Sequence, residues 1–168
     1  VGEFSLEIKM KKILFVGILC SLLFVCTGAF AQPTIPKGLK EMSPAGIVYH
    51  KDQTIYWVST SEDVPIAWDA GAGATGYELS VHWIRGDNTV QIYPSQLTTA
   101  LTLTLRMPRA GIFVIFVRSY APDPADNTKK IYSVDWAKSN DSAYATVDGV
   151  AKAWIIIASL PAPGPIVP

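Results

Sequence analysis

Cysteine is the first shortage. The chain has 168 residues and two cysteines, Cys20 and Cys26, both inside the N-terminal run "ILFVGILCSLLFVC". Once that run is removed, the protein has no disulfide and no thiol nucleophile. Histidine is nearly as scarce, with His50 and His82 standing far apart. Zinc needs three or four converging ligands, so no zinc site is expected. Charge of one sign is missing too. Residues 32–168 keep 11 Lys/Arg against 12 Asp/Glu, so no basic field draws in nucleic acid or anionic lipid. The 14-residue apolar run at 13–26 is too short for a bilayer, which needs about 20. No long window carries a helical period of three to four residues.

Catalytic signatures are also absent. Glu78, Ser80 and His82 share one face of an alternating segment, but alternate strand residues stand about 7 Å apart. A nucleophile and its base must approach to about 3 Å. The three therefore read as a polar ladder facing water, and no Gly-x-Ser-x-Gly elbow is present. "GAGATG" at 71–76 is followed by a strand-like segment, which fails the context of a dinucleotide loop. Asp123, Asp126 and Asn127 in "APDPADNTKK" offer too few oxygens for calcium. "LPAPG" has Pro163 where a sortase signal needs Thr. The expectation is a protein with no enzymatic activity, no cofactor and no metal.

What is present begins with an export signal. Met10, Lys11 and Lys12 precede the apolar run, and Ala29-Phe30-Ala31 follows it. This is the three-part layout of a bacterial-type secretory signal peptide over 10–31, cleaved before Gln32. Residues 1–9 then lie upstream of the natural start. Neither cysteine follows a small residue, so no lipoprotein signal is read. The expected locations are secreted, periplasmic or cell-surface, with no membrane attachment after cleavage.

Residues 32–46, rich in Pro, Gly and Lys, read as a flexible N-terminal segment. From there the pattern is β throughout. "GIVYH" and "TIYWV" suggest a first hairpin or a broken first strand. "VPIAWDA" places Val64, Ile66 and Trp68 on one face, and "GYELSVHWI" does the same for Tyr77, Leu79, Val81 and Trp83. "LTLTL" points Leu101, Leu103 and Leu105 inward. "IFVIFVRSY" is apolar on both faces, the mark of a central strand. Trp57, Trp68 and Trp83 fit a core, with Trp136 and Trp154 left open. "AWIIIAS" must be covered, because a flat apolar edge aggregates. Its partner is the sandwich, another domain or a second copy through residues 152–159. Residues 161–168 form a Pro-rich tail.

"VPIAWDA…ATGYELSV", "LRMPRAGIFVIFVRSYAP" and "VDWAKSND" together resemble the fibronectin type III pattern over Val64–Asn140. Trp68 and Tyr77 stand at that family's second- and third-strand aromatics. Trp136 and Ser139 match the Trp-x-x-Ser ending of its seventh strand. Phe113 stands where the family has a corner Tyr, which keeps the aromatic bulk and loses the hydroxyl. The resemblance implies an all-β antiparallel sandwich of about seven strands over 47–142, with one or two appended strands in 143–160. It also implies a non-catalytic module binding a protein or polysaccharide, or serving in surface assembly. The alternatives are a structural subunit joined through its C-terminal strand and an accessory piece of a secreted polysaccharide hydrolase. Arg85, Gly86 and Asp87 form the candidate ligand loop, since Arg-Gly-Asp is an integrin ligand in animal matrix proteins. The family's adhesive tripeptide lies between the sixth and seventh strands. Here it follows the third, where Gly86, Asp87 and Asn88 suit a hairpin turn.

Overall fold

Alternation of apolar and polar residues dictates strands, and strands are what the computed structural model of the chain contains. It describes residues 31–42, 46–49, 55–59, 63–107 and 109–158, and no helix occurs among them. The fold belongs to the unit Gln32–Pro168. In chain order the first seven strands are β1 (Lys37–Glu41), β2 (Gly46–Tyr49), β3 (Ile55–Ser59), β4 (Asp63–Asp69), β5 (Gly76–Ile84), β6 (Val90–Ile92) and β7 (Gln96–Thr98). The rest are β8 (Thr102–Arg106), β9 (Gly111–Asp123), β10 (Asp126–Tyr132), β11 (Ala137–Lys138), β12 (Thr146–Val147), β13 (Val150–Ala151) and β14 (Trp154–Ala158).

One sheet has the order β1-β4-β8. A larger one runs β2-β3-β14-β9-β5-β6, with β7 on β5 and with β10 and β11 on β9, and β12 and β13 form a separate two-stranded pair. The two antiparallel pairs β4–β8 and β5–β9 join strands distant in sequence, so hairpins alone do not build the fold. Inner faces of both sheets supply one core. Val64, Ile66 and Trp68 of β4 and Leu105 of β8 meet Tyr77, Leu79 and Val81 of β5 and Phe113, Ile115 and Val117 of β9. Trp68 meets Tyr77 edge-on at 5.4 Å and 66°, a favoured aromatic geometry. The expected all-β sandwich is therefore what the chain forms, with Phe113 a fully buried ring in its core.

β9 organises the larger sheet. One edge pairs with β5 along nine residues. The other edge is shared by β14 at Gly111–Phe113, β11 at Phe116–Val117 and β10 at Tyr120–Asp123. Ser139 manages the change of partner. Its backbone N–H donates to Ile115 O at 2.9 Å, its hydroxyl accepts from Ile115 N–H at 3.1 Å, and its carbonyl accepts from Trp154 N–H at 2.7 Å. That is the physical use of the Trp-x-x-Ser serine in this chain.

Several expectations change. The segment 32–46 contains β1, in which Leu39 is 0% exposed. Only Leu39 is apolar in "KGLKE", so its burial comes from tertiary partners such as the bridge to Ala145. The fold thus extends beyond 47–142 on both sides. The C-terminal additions are three strands, and β14 is interior, parallel to β3 and antiparallel to β9. Residues 154–158 consequently pair with β3 along their whole length, and 156–158 pair with β9 on the other edge. Trp154 is fully buried, and its Nε1–H donates to Leu39 O at 3.1 Å. Leu101 is 41% exposed rather than inward, although its carbonyl accepts from Trp68 N–H at 3.1 Å. "GIVYH" and "TIYWV" do form a hairpin, β2–β3. His50 and the Trp57 side chain lie outside the described residues.

Candidate functional site

The polar ladder on β5 does not simply face water. Ser80 is 6% exposed, and the His82 ring lies 4.0 Å from Phe116, with burial lowering its pKa from the usual range. Glu78 stands directly opposite Arg118 in the β5–β9 ladder. Arg118 Nε and Nη2 donate to Glu78 Oε2 at 2.8 and 2.6 Å. The same guanidinium lies 3.8 Å from the Tyr132 ring centre and 4.3 Å from that of Trp136. Its charge is thus neutralised by a carboxylate and contacted by two rings.

A second arginine–aromatic cluster gathers at Trp83. Alternation turns Trp83 inward with Val81, and its half-buried ring packs on the core. Arg85, two residues on, lies on the same side. Its guanidinium is 5.2 Å from the Trp83 ring centre, and that of Arg109, from the β8–β9 connection, is 5.4 Å away. Arg85 Nη2 donates to Gln91 Oε1 at 2.7 Å, and Gln91 is the β6 residue paired with Trp83. The close fit of β9 beneath the indole requires Gly111, whose φ is +148° and where any Cβ would collide with Trp83 Nε1. Among the described residues, neither Arg85 nor Arg109 forms an ion pair with a carboxylate.

The candidate tripeptide is divided by this arrangement. Asp87 Oδ1 accepts from Thr89 N–H at 2.9 Å and from the Thr89 hydroxyl at 2.6 Å. These bonds, the hydroxyl first, hold its carboxyl below the usual range. Arg85 and Asn88 close the turn, with Asn88 at φ +64°. Gly86 sits in open space. Asp87 and Gly86 therefore build a turn, while Arg85 folds back into the tryptophan cluster. In the loop after β9, Asp123 and Asp126 likewise bond their own turns, accepting from Ala125 N–H at 2.8 Å and from the Thr128 hydroxyl at 2.6 Å. Among the described residues no group of three or more His, Cys, Asp or Glu could hold a metal.

A groove of about 310 Å³ is lined by Val81, Tyr93, Pro94, Ser95, Gln96 and Arg106. Val81 is one inward position before Trp83 on β5, a step of about 7 Å. Among the described residues the buried Tyr93 hydroxyl has no hydrogen-bond partner. The site thus combines aromatic surface, N–H donors and fixed positive charge. Guanidinium does not titrate near neutrality, so the arrangement suits recognition rather than proton transfer. Sequence reasoning reached Arg85 through its tripeptide but missed Arg109 and Tyr93. The spacing Trp83-Ile84-Arg85, with ring and charge on one strand face, was the available signal.

No family model matches the chain, and no curated protein matches it. Among solved structures, the chain is similar to a Fn3-like protein from Clostridium thermocellum at 12% identity, with a TM-score of 0.38 over 79% of this chain and 97% of that one.

Proposed function

We propose that this domain is a non-catalytic recognition module of an exported protein, secreted, periplasmic or displayed at the cell surface. It presents the rim around Trp83 to a polysaccharide or protein partner. The observation that carries the reading is the convergence of two exposed, ion-pair-free arginines, Arg85 and Arg109, on one half-buried tryptophan that shares β5 with Val81 of the groove. Stacking of Arg on an indole orders a long side chain before any partner arrives, which lowers the cost of binding. The signal-like segment 10–31 supports the exported setting.

The experiment is to screen residues 32–168, which hold every described core residue, against polysaccharides and cell-envelope extracts, with Trp83→Ala as the control. Retained ligand that is lost in the variant supports the reading. Absence of any ligand, or binding indifferent to Trp83, contradicts it.

A further inference from the structure

The two clusters on the larger sheet differ in what balances their charge. Arg118 has Glu78. Two of the described lysines, Lys129 and Lys138, have Asp126 and Asp135 within 4 Å, whereas Lys130 lies over the single ring of Tyr120. Arg85 and Arg109 converge on one ring with no such carboxylate, although residues 32–168 carry one acidic side chain more than basic. Asp87 is the nearby acid on the Arg85 loop; it attracts Arg85 only from beyond ion-pair distance, the weakest of the influences on its carboxyl, and its Oδ1 is engaged by Thr89. Two like charges held on one indole repel each other, and an anion placed between them removes that repulsion.

From this we infer that the Trp83 rim binds the carboxylate groups of an acidic polysaccharide. The inference rests on the recognition reading above and adds the ligand's chemistry. Guanidinium edges match a carboxylate through paired N–H donors. Arg85 spends one nitrogen on Gln91 and keeps others free, and Arg109 makes no hydrogen bond recorded among the described residues. The groove favours a sugar over a peptide. Val81, Pro94 and the Tyr93 ring offer an apolar floor for a pyranose face. Ser95 and Gln96 offer hydrogen bonds to its hydroxyls. Arg106 at the groove has an interaction within the chain and is not counted as a ligand group.

The test titrates residues 32–168 with polygalacturonate, dextran sulfate, dextran and poly-glutamate in turn. Thermal unfolding confirms that each variant remains folded. Polygalacturonate is expected to bind best. Arg85→Gln and Arg109→Gln should each weaken it about tenfold, the scale of one charge-assisted hydrogen bond. Added salt should weaken it further. Equal binding of dextran sulfate or poly-glutamate would reduce the site to unspecific charge attraction and overturn the inference. Equal binding of neutral dextran, lost in Trp83→Ala, would overturn the inference and leave the recognition reading standing. No binding to any of the four, with envelope extracts also negative, would remove both.

Discussion

The Arg118 cluster and the Trp83 cluster use the same materials to opposite ends. Both place guanidinium against aromatic rings on the larger sheet. Arg118 is also matched by Glu78 in the facing register position, so its charge is settled inside the fold. Arg85 and Arg109 are held by Trp83, and among the described residues no carboxylate comes within ion-pair distance of either, Asp87 attracting Arg85 only from farther off. A closed cluster joins strands, since removing either partner leaves a partly buried charge unpaired. An open one adds little to folding and stays available to an outside group. Both depend on the same frame, in which β9 is held on one side by β5 and on the other by β14, β11 and β10.

The largest effect should come from breaking that frame. Trp154→Ala removes a fully buried ring and the bond to Leu39 O and should cost about 3–5 kcal/mol, measured by chemical denaturation. Both clusters should then lose their order together. A loss under 1 kcal/mol would mean that β14 does not anchor the sheet.

Glu41 shows how an unpaired charge behaves when it cannot reach water. It is 3% exposed, and among the described residues both carboxylate oxygens lack a partner. Burial raises its pKa from 4.5 to about 7. Between those values the folded chain keeps the proton and the unfolded chain has released it. The contribution of Glu41 to stability is therefore greatest below pH 4.5, falls as pH rises towards 7, and is flat above, a total of about 3 kcal/mol. Glu41→Gln should flatten this component and stabilise the protein at pH 8. Unfolding curves from pH 4 to 8 would show it, and parallel curves for the two proteins would contradict it.

The closed cluster comes next. Glu78→Gln and Arg118→Gln should each destabilise by about 1–3 kcal/mol. Their double-mutant cycle should return a favourable coupling of about 1 kcal/mol. The open cluster should show the smallest effect on folding. Arg85→Gln with Arg109→Gln should change stability by less than about 1 kcal/mol. If the open pair proved as costly to remove as the closed one, the distinction between them would fail.

Much of the frame was legible from alternation alone. Val64-x-Ile66-x-Trp68 and Tyr77-x-Leu79-x-Val81 have the period of half-buried strands, and the two-sided apolar character of "IFVIFVRSY" announced a central one. β1 was illegible because one leucine among lysines, glycine and glutamate carries no pattern; its burial is decided by strands far along the chain. The interior place of β14 was hidden for a related reason, since its parallel partner β3 comes from near the other end of the sequence. In the site, Arg85 and Trp83 were adjacent on a strand face and could be read. Arg109 arrives from a connection whose approach to Trp83 depends on the glycine at 111 and on the assembled sheet.

The most direct measurement is an NMR titration of residues 32–168 with a short oligogalacturonate, following the Trp83 indole N–H and the Nε–H signals of Arg85, Arg109 and Arg118. The open-versus-closed account predicts shifts at Trp83, Arg85 and Arg109 while Arg118 stays unmoved. Silence at all four, or a response centred on Arg118, would contradict it.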